Sequence, residues 1–442
     1  MRKIYRSKIQ KKIIKISFST LLLILMLTSV SSCGSDIKKR DSPRDKISDT
    51  EIKILKPKSV DSIEKINFYF ENSGSMNGYL DGKNFKQTMH RIIDEDKAGF
   101  EPFFVNMKEY KTSNLLSKID NNNIGTENIG GSDHKFIFEN AIKNSSGNNL
   151  SIVVTDGIYS TPNGDTDIVE IEIEKSFSKA LKDNAIETVV LKMASNYSGA
   201  YYTGSECRTV TINQERPYYI LLFGNKKIID KALREIVVIN DLPGFKEQAR
   251  FFITDNLKVN YTILTRGEEK KGSFRKVRKG GKGLVKDIED VERDDRAAEP
   301  YIQFAVGIDY SGISIPDSYL LEKNNYKIVG TTEFDIEDIK TVKTLSKTST
   351  TFSEIERVNN NIKLSHLITV KAKFNFTGDL IINLENNIPS WIPNTGIEND
   401  CDIIGNNTQT FAFDKLMTGI SKAYSKVNDS DDYLKLELSI NH

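Results

Sequence analysis

Only three cysteines and four histidines occur among the 442 residues, and that scarcity removes several kinds of chemistry at once. His90, His134, His366 and His442 nowhere pair at the spacing of a zinc motif. His90 is expected on a helix surface, and His134 alone lies near the candidate site. Besides Cys33 there are only Cys207 and Cys401, with no histidine or basic cluster close by in sequence to make either a reactive thiolate. The chain has no glycine-rich phosphate loop and no Gly-x-Ser-x-Gly turn. Glu170, Glu172 and Glu174 alternate rather than converge, which reads as a solvated face and not as an acid–base pair. No nucleophile–base set is visible, so the chain is not expected to be an enzyme.

At the N-terminus, Arg2, Lys3, Arg6, Lys8, Lys11, Lys12 and Lys15 precede an apolar stretch centred on residues 21–27, followed by Val30-Ser31-Ser32-Cys33. A basic head, an apolar core and small residues before a cut describe a secretory signal peptide over residues 1–32. A cysteine directly after two small residues resembles a bacterial lipoprotein signal. That resemblance implies cleavage before Cys33, lipid such as palmitate on its sulfur, and anchoring of an exported protein to a membrane of the cell envelope. The apolar run falls short of the ~20 residues that a membrane span needs. Removing the seven basic residues of this segment from 62 Lys+Arg leaves 55 against 61 Asp+Glu, about −6. A mildly acidic mature chain is not built to bind nucleic acid. Residues 33–62 are rich in Lys, Arg, Asp and Ser and too poor in apolar positions to bury a core, so they read as a tether.

The remainder is long enough for two or three domains. Between residues 63 and 240, apolar runs at 66–70, 103–105, 150–155, 186–193 and 218–224 alternate with helical patterns at 84–93, 134–143, 169–183 and 228–236. Near-continuous apolar strands between amphipathic helices predict an α/β unit with a mostly parallel sheet flanked by helices. Residues 195–214 interrupt the alternation and read as a hairpin or lobed loop, with Tyr197, Tyr201 and Tyr202 either packing it onto the sheet or forming a recognition patch. From 241 to 442 strand patterns dominate, and a β-rich, sandwich-like domain with one helical insert at 413–425 is expected. Within it, 367–374 and 380–384 are expected to pair as a hairpin, and 433–440 to be a half-buried strand. The basic segment 270–282 faces acidic residues at 287–295 and is expected to be charge-balanced locally. Cys207 and Cys401 fall in different predicted domains; two independent buried thiols are expected, with a disulfide as the alternative.

Two strand ends carry the functional signal. Ile66-Asn67-Phe68-Tyr69-Phe70 runs into Glu71-Asn72-Ser73-Gly74-Ser75-Met76, a carboxylate and two hydroxyls at alternate positions. Oxygen ligands of this kind suit a hard divalent cation, and Gly74 is expected to let the backbone turn tightly between them. Ser151-Ile152-Val153-Val154 runs into Thr155-Asp156-Gly157. Open parallel sheets bind ligands beyond the carboxyl ends of their strands, which is where both loops would open.

With those residues in place, the first domain resembles the von Willebrand factor type A (vWA) family. Its Rossmann-like sheet carries a metal-ion-dependent adhesion site, built from Asp-x-Ser-x-Ser, a hydroxyl residue of a second loop and a later strand-ending Asp. Ser73, Ser75 and Asp156 match that pattern, and Gly130-Gly131-Ser132-Asp133 offers Ser132 where a Thr is usual. Glu71 stands where the family has Asp. One methylene longer, it can hold a metal-bound water, coordinate directly, or displace the metal. The resemblance implies a metal set of Glu71, Ser73, Ser75, Ser132 and Asp156. It also implies a divalent cation, Mg²⁺ foremost with Ca²⁺ or Mn²⁺ possible, and a partner protein whose carboxylate completes the shell. A vWA scaffold that works in an envelope complex without metal is the alternative.

Overall fold

The computed structural model describes residues 62–441, apart from 126–130, 160–164, 184, 205–206, 255–256, 278–282, 360–361 and 429–430. The expected signal peptide, Cys33 and the tether up to residue 61 lie outside the described residues, as do Gly130 and His442. The first half contains strands β1 (Lys65–Glu71), β2 (Phe100–Val105), β3 (Glu109–Lys111), β4 (Asn149–Thr155), β5 (Glu187–Tyr201), β6 (Val210–Gly224) and β7 (Phe245–Phe251). Its helices are α1 (Lys83–Ile92), α2 (Leu115–Asp120), α3 (His134–Asn144), α4 (Thr166–Asp183) and α5 (Lys226–Glu235). The second half contributes β8 (Asn260–Ile263), β9 (Ser273–Lys276), β10 (Asp287–Glu292), β11 (Ile302–Asp309), β12 (Tyr326–Val329), β13 (Phe334–Thr341), β14 (His366–Ala372) and β15 (Gly378–Glu385). The short β16 (Gly396–Ile397) and β17 (Thr410–Phe411) and the long β18 (Asp432–Ile440) follow, with helices α6 (Asp317–Leu320), α7 (Thr350–Asn359), α8 (Trp391–Thr395) and α9 (Phe413–Ser425) among them.

β1 is apolar almost throughout because both of its faces are covered. Ile66, Phe68 and Phe70 pack with Phe85 and Met89 of α1, Leu115 and Ile119 of α2 and Ile228 and Ile229 of α5. Tyr69, one step out of phase, joins Ile137 and Phe138 of α3, Ile173 and Phe177 of α4 and Phe413 and Met417 of α9. The seven strands run in the order β3-β2-β1-β4-β6-β5-β7. β1 is parallel to β2 and β4, while every other neighbouring pair is antiparallel. The sheet is therefore mixed rather than mostly parallel. The cause is the segment that interrupted the alternation. β5 and β6 extend through it to form a hairpin in register from Glu187↔Gly224 to Tyr201↔Val210, and a hairpin needs no helical crossover.

The second half is a sandwich. Sheets ordered β13-β14-β11-β8 and β12-β15-β18-β10-β9 share one core, in which Phe304, Val306 and Val370 meet Leu380, Ile382, Leu436 and Leu438. β18 alternates between buried leucines and exposed Lys435 and Glu437, as its pattern predicts. β14 and β15 do not form the expected hairpin. They belong to different sheets, with β14 between β11 and β13 and β15 between β12 and β18. The turn at 373–377 carries the chain across the sandwich, because the apolar faces of both strands must point into the same core. In the basic segment, Arg275 pairs with Asp290, and the Ser273 hydroxyl donates to Glu292 at 3.1 Å, across β9 and β10.

A boundary at residue 240 does not follow the packing. β7 completes the first sheet, with Arg250 bridging Glu187 and Asp230. Helix α9 spans the residues expected of it but lies against α4 and the first sheet, not within the sandwich. Tyr219 and Phe413 stack with ring centroids 3.8 Å apart. Glu170 and Glu174 prove not to be a merely solvated face. One helical turn apart, they pair with Lys422 of α9 and Lys426 at its C-terminal end, while Glu172 accepts from the Tyr159 hydroxyl at 2.9 Å.

Cys207 and Cys401 are joined, with Cα atoms 5.5 Å apart across 194 residues of sequence. The expectation of two independent thiols fails because residues 396–411 return to the β5–β6 hairpin. There Asp400 accepts from the Tyr201 hydroxyl at 3.0 Å and Gly204 N–H at 2.9 Å. Closing so long a loop restricts the unfolded chain, so reduction is expected to lower unfolding stability by about 2–5 kcal/mol. Denaturant titration with and without dithiothreitol tests this. The reductant should destabilise the wild type and leave Cys401→Ser unaffected; equal stability of the oxidised and reduced wild type would remove the brace.

Candidate metal centre

The end of β1 and the end of β4 lie side by side, in parallel register through Phe70↔Val154. Two carboxylates, Glu71 and Asp156, are thereby carried one or two residues past the register into the same buried space. Asn72 locks the first loop. Its amide donates to Ile124 O at 3.2 Å, its carbonyl oxygen accepts from Asn106 at 3.1 Å, and its N–H bonds Val105 O. The chain then enters a 3₁₀ turn, Ser75–Tyr79, whose tyrosine hydroxyl donates to Pro217 O. Gly74 has ordinary right-handed helical angles, φ −59° and ψ −37°, so a tight turn is not what requires it. A Cβ there would lie 2.8 Å from the Tyr202 ring, so glycine admits the β5–β6 hairpin over the loop. Gly157 is needed for its backbone, at φ +72°.

Four of the five residues expected to ligate metal meet directly. Ser75 Oγ donates to Asp156 Oδ2, and the Ser73 and Ser75 hydroxyls are 3.1 Å apart. Thr155 Oγ1 donates to Glu71 Oε2 and accepts from Gly157 N–H at 2.9 Å. Asp156 Oδ1 accepts from Ile158 N–H at 3.0 Å. The fifth, Ser132, is half-buried just ahead of α3; its Oγ has no hydrogen bond of normal geometry, though its hydroxyl dipole acts on Glu71. Cys33 is outside the described residues.

Two residues beyond that set complete the arrangement. Asp133 caps α3 by accepting from Phe136 N–H at 3.0 Å, which turns His134 inward. Its Nε2 lies 3.1 Å from Thr155 Oγ1 and 3.7 Å from Glu71 Oε2. Glu71, His134 and Asp156 each place a ligand atom within 4.8 Å of the others, so this buried group can hold a metal ion. Sequence spacing could not expose His134, because its partners come from β1 and β4, 63 and 22 positions away. Its place two residues after Ser132 was the only signal. Thr155 was visible as the hydroxyl of Thr-Asp-Gly, but its bond to Glu71 depends on strand pairing.

None of Glu71, Ser73, Ser75, His134 and Asp156 is more than 7% exposed, and burial dominates their electrostatics. It pushes Glu71 upward, against the opposing hydroxyls of Ser132, Thr155 and Ser73 and the Asp156 backbone N–H. It raises Asp156 to about 7, with the Glu71 charge adding to the rise and the Ser75 hydroxyl and Ile158 N–H opposing it. His134 is pushed down by burial, against the pull of Asp156 and Asp133, and so is held neutral, the form that ligates metals. Two buried carboxylates repel each other, and a cation between them relieves that cost. Ser132 Oγ, buried with no hydrogen bond of normal geometry, is the kind of under-satisfied atom a ligand shell accounts for. The residues fit a metal.

A raised Asp156 has a definite consequence for metal-free protein. Between the ordinary 3.8 and about 7 the folded chain retains a proton that the unfolded chain has released. This contribution to stability is full below about pH 4 and is lost as pH rises through about 7. In the presence of chelator, the melting temperature of wild type is expected to fall more from pH 4 to pH 7 than that of Asp156→Asn. Equal slopes in the two proteins would contradict the assignment.

Compared with protein-family models, curated proteins and solved structures, the chain matches none.

Proposed function

We propose that this chain is an exported, lipid-anchored protein of the bacterial cell envelope. Its α/β half acts as a vWA-like module that binds a partner protein through a divalent cation held at Glu71 and Asp156. The observation that carries the reading is the meeting of three segments at one buried point: the ends of β1 and β4, around Ser73–Ser75 and Thr155–Asp156, and the start of α3, around Ser132–His134. A bound cation would supply positive charge there that a partner's carboxylate can complete. Glu71 and Asp156 would hold it, with Ser73, Ser75 and Ser132 contributing hydroxyls and Thr155 orienting Glu71. Tyr202, half exposed above Gly74, offers an aromatic contact beside the approach. Export and anchoring are supported by the N-terminal pattern ending at Cys33. The Cys207–Cys401 disulfide is of a kind that persists in oxidising compartments.

One observation favours the metal-free scaffold instead. The carboxylates already have hydroxyl donors in Ser75 and Thr155, and the whole cluster is buried. The two readings separate in a pull-down from envelope membranes combined with calorimetric titration of Mg²⁺, Mn²⁺ and Ca²⁺. The adhesion reading expects saturable cation binding, partner capture abolished by chelator, and loss of both in Asp156→Ala. Capture indifferent to chelator, with no cation binding by the wild type, would establish the scaffold.

A further inference from the structure

We infer that His134 contributes its imidazole to the metal shell, and that the centre therefore selects a first-row transition cation such as Zn²⁺ or Mn²⁺ over Mg²⁺ or Ca²⁺. The inference rests on the metal reading above and refines which ion that site takes.

The imidazole is built into the cluster rather than placed beside it. His134 is 1% exposed, and its Nε2 faces Glu71 Oε2 at 3.7 Å. Its ring stacks on Tyr159 at 5.4 Å and meets the edge of Phe138 at 6.0 Å. Tyr159 is itself fixed through its hydroxyl to Glu172 at 2.9 Å. The ring is thus clamped from two sides before any ion arrives, which is how a ligand is preorganised. As a packing residue, an imidazole here is a poor choice. It leaves Nδ1 buried with no partner, whereas an apolar ring would fill the same space without an unmet polar atom.

Ligand chemistry then discriminates among ions. Mg²⁺ and Ca²⁺ take oxygen ligands almost without exception. Two carboxylates with one neutral imidazole form a mixed oxygen–nitrogen set, suited to Zn²⁺, Mn²⁺ or Fe²⁺. Zn²⁺ outcompetes lighter ions at most such sites, so affinity order alone cannot assign a role to His134. The discriminating quantity is how the preference changes when the imidazole is removed.

The test is calorimetric titration of the metal-stripped chain with ZnCl₂, MnCl₂ and MgCl₂ separately, for wild type, His134→Gln and Asp156→Asn. Wild type is expected to bind one Zn²⁺ at least tenfold more tightly than Mg²⁺. His134→Gln should lose tenfold or more in Zn²⁺ affinity while its Mg²⁺ affinity stays within about twofold, and Asp156→Asn should weaken every ion. Should His134→Gln not fold, the NMR spectrum of Co²⁺-loaded wild type decides. One histidine ring should show paramagnetically shifted resonances, whereas His90 and His366, which lie by Asp120 and Asp317, should not. Unchanged Zn²⁺ affinity in His134→Gln, or no shifted histidine, overturns the role of His134 and leaves the cation site standing. Failure of wild type to bind any of the three ions overturns the metal reading and this inference together.

Discussion

Two carboxylates that share one buried space are the constraint around which the first half of this protein is arranged. Glu71 and Asp156 reach it because β1 and β4 are adjacent and parallel, so both strands end at the same edge. Burial penalises each charge and their mutual repulsion adds to it. The surrounding groups answer that cost. The hydroxyls of Ser73, Ser75, Ser132 and Thr155, the backbone N–H of Ile158 and a neutral histidine are all oriented toward these two side chains.

The more distant architecture keeps that edge closed. The β5–β6 hairpin leans over the loop after β1, with Tyr197 against Gly78 and Tyr202 against Gly74. It is held in turn by residues 396–411, through the disulfide and the buried Asp400. On the opposite face α9 covers the sheet and stacks Phe413 on Tyr219, the ring that also limits the space at Gly157. A segment from the last tenth of the chain thus stands next to the turn that presents Asp156. The sandwich, whose core is separate, is the element from which this segment departs and to which the chain returns in β18.

Local physics was legible wherever one element could be read on its own. The strand of β1, the helix α9, the alternation of β18 and the loop Glu71-Asn72-Ser73-Gly74-Ser75 all followed from period and residue type. Where two remote segments had to meet, the same reading failed. β14 and β15 looked like a hairpin because they are close in sequence and both apolar, but a sandwich satisfies those faces equally well from two sheets. Glu170 and Glu174 looked solvated because they alternate along the chain rather than converge, while their partners Lys422 and Lys426 lie some 250 positions away.

The candidate centre divides along the same line. The sequence by itself determined that hydroxyls and a carboxylate follow β1 and that an aspartate follows β4, since alternate oxygens in a short loop after an apolar strand are a local pattern. Only the tertiary structure decided that Thr155 would bond Glu71, that His134 would turn in toward both carboxylates, and that Cys207 and Cys401 would pair. Each of those contacts joins segments that sequence separation leaves unrelated. They come together only when burial of the sheet's two faces fixes which strand ends share an edge and which helix starts beside them.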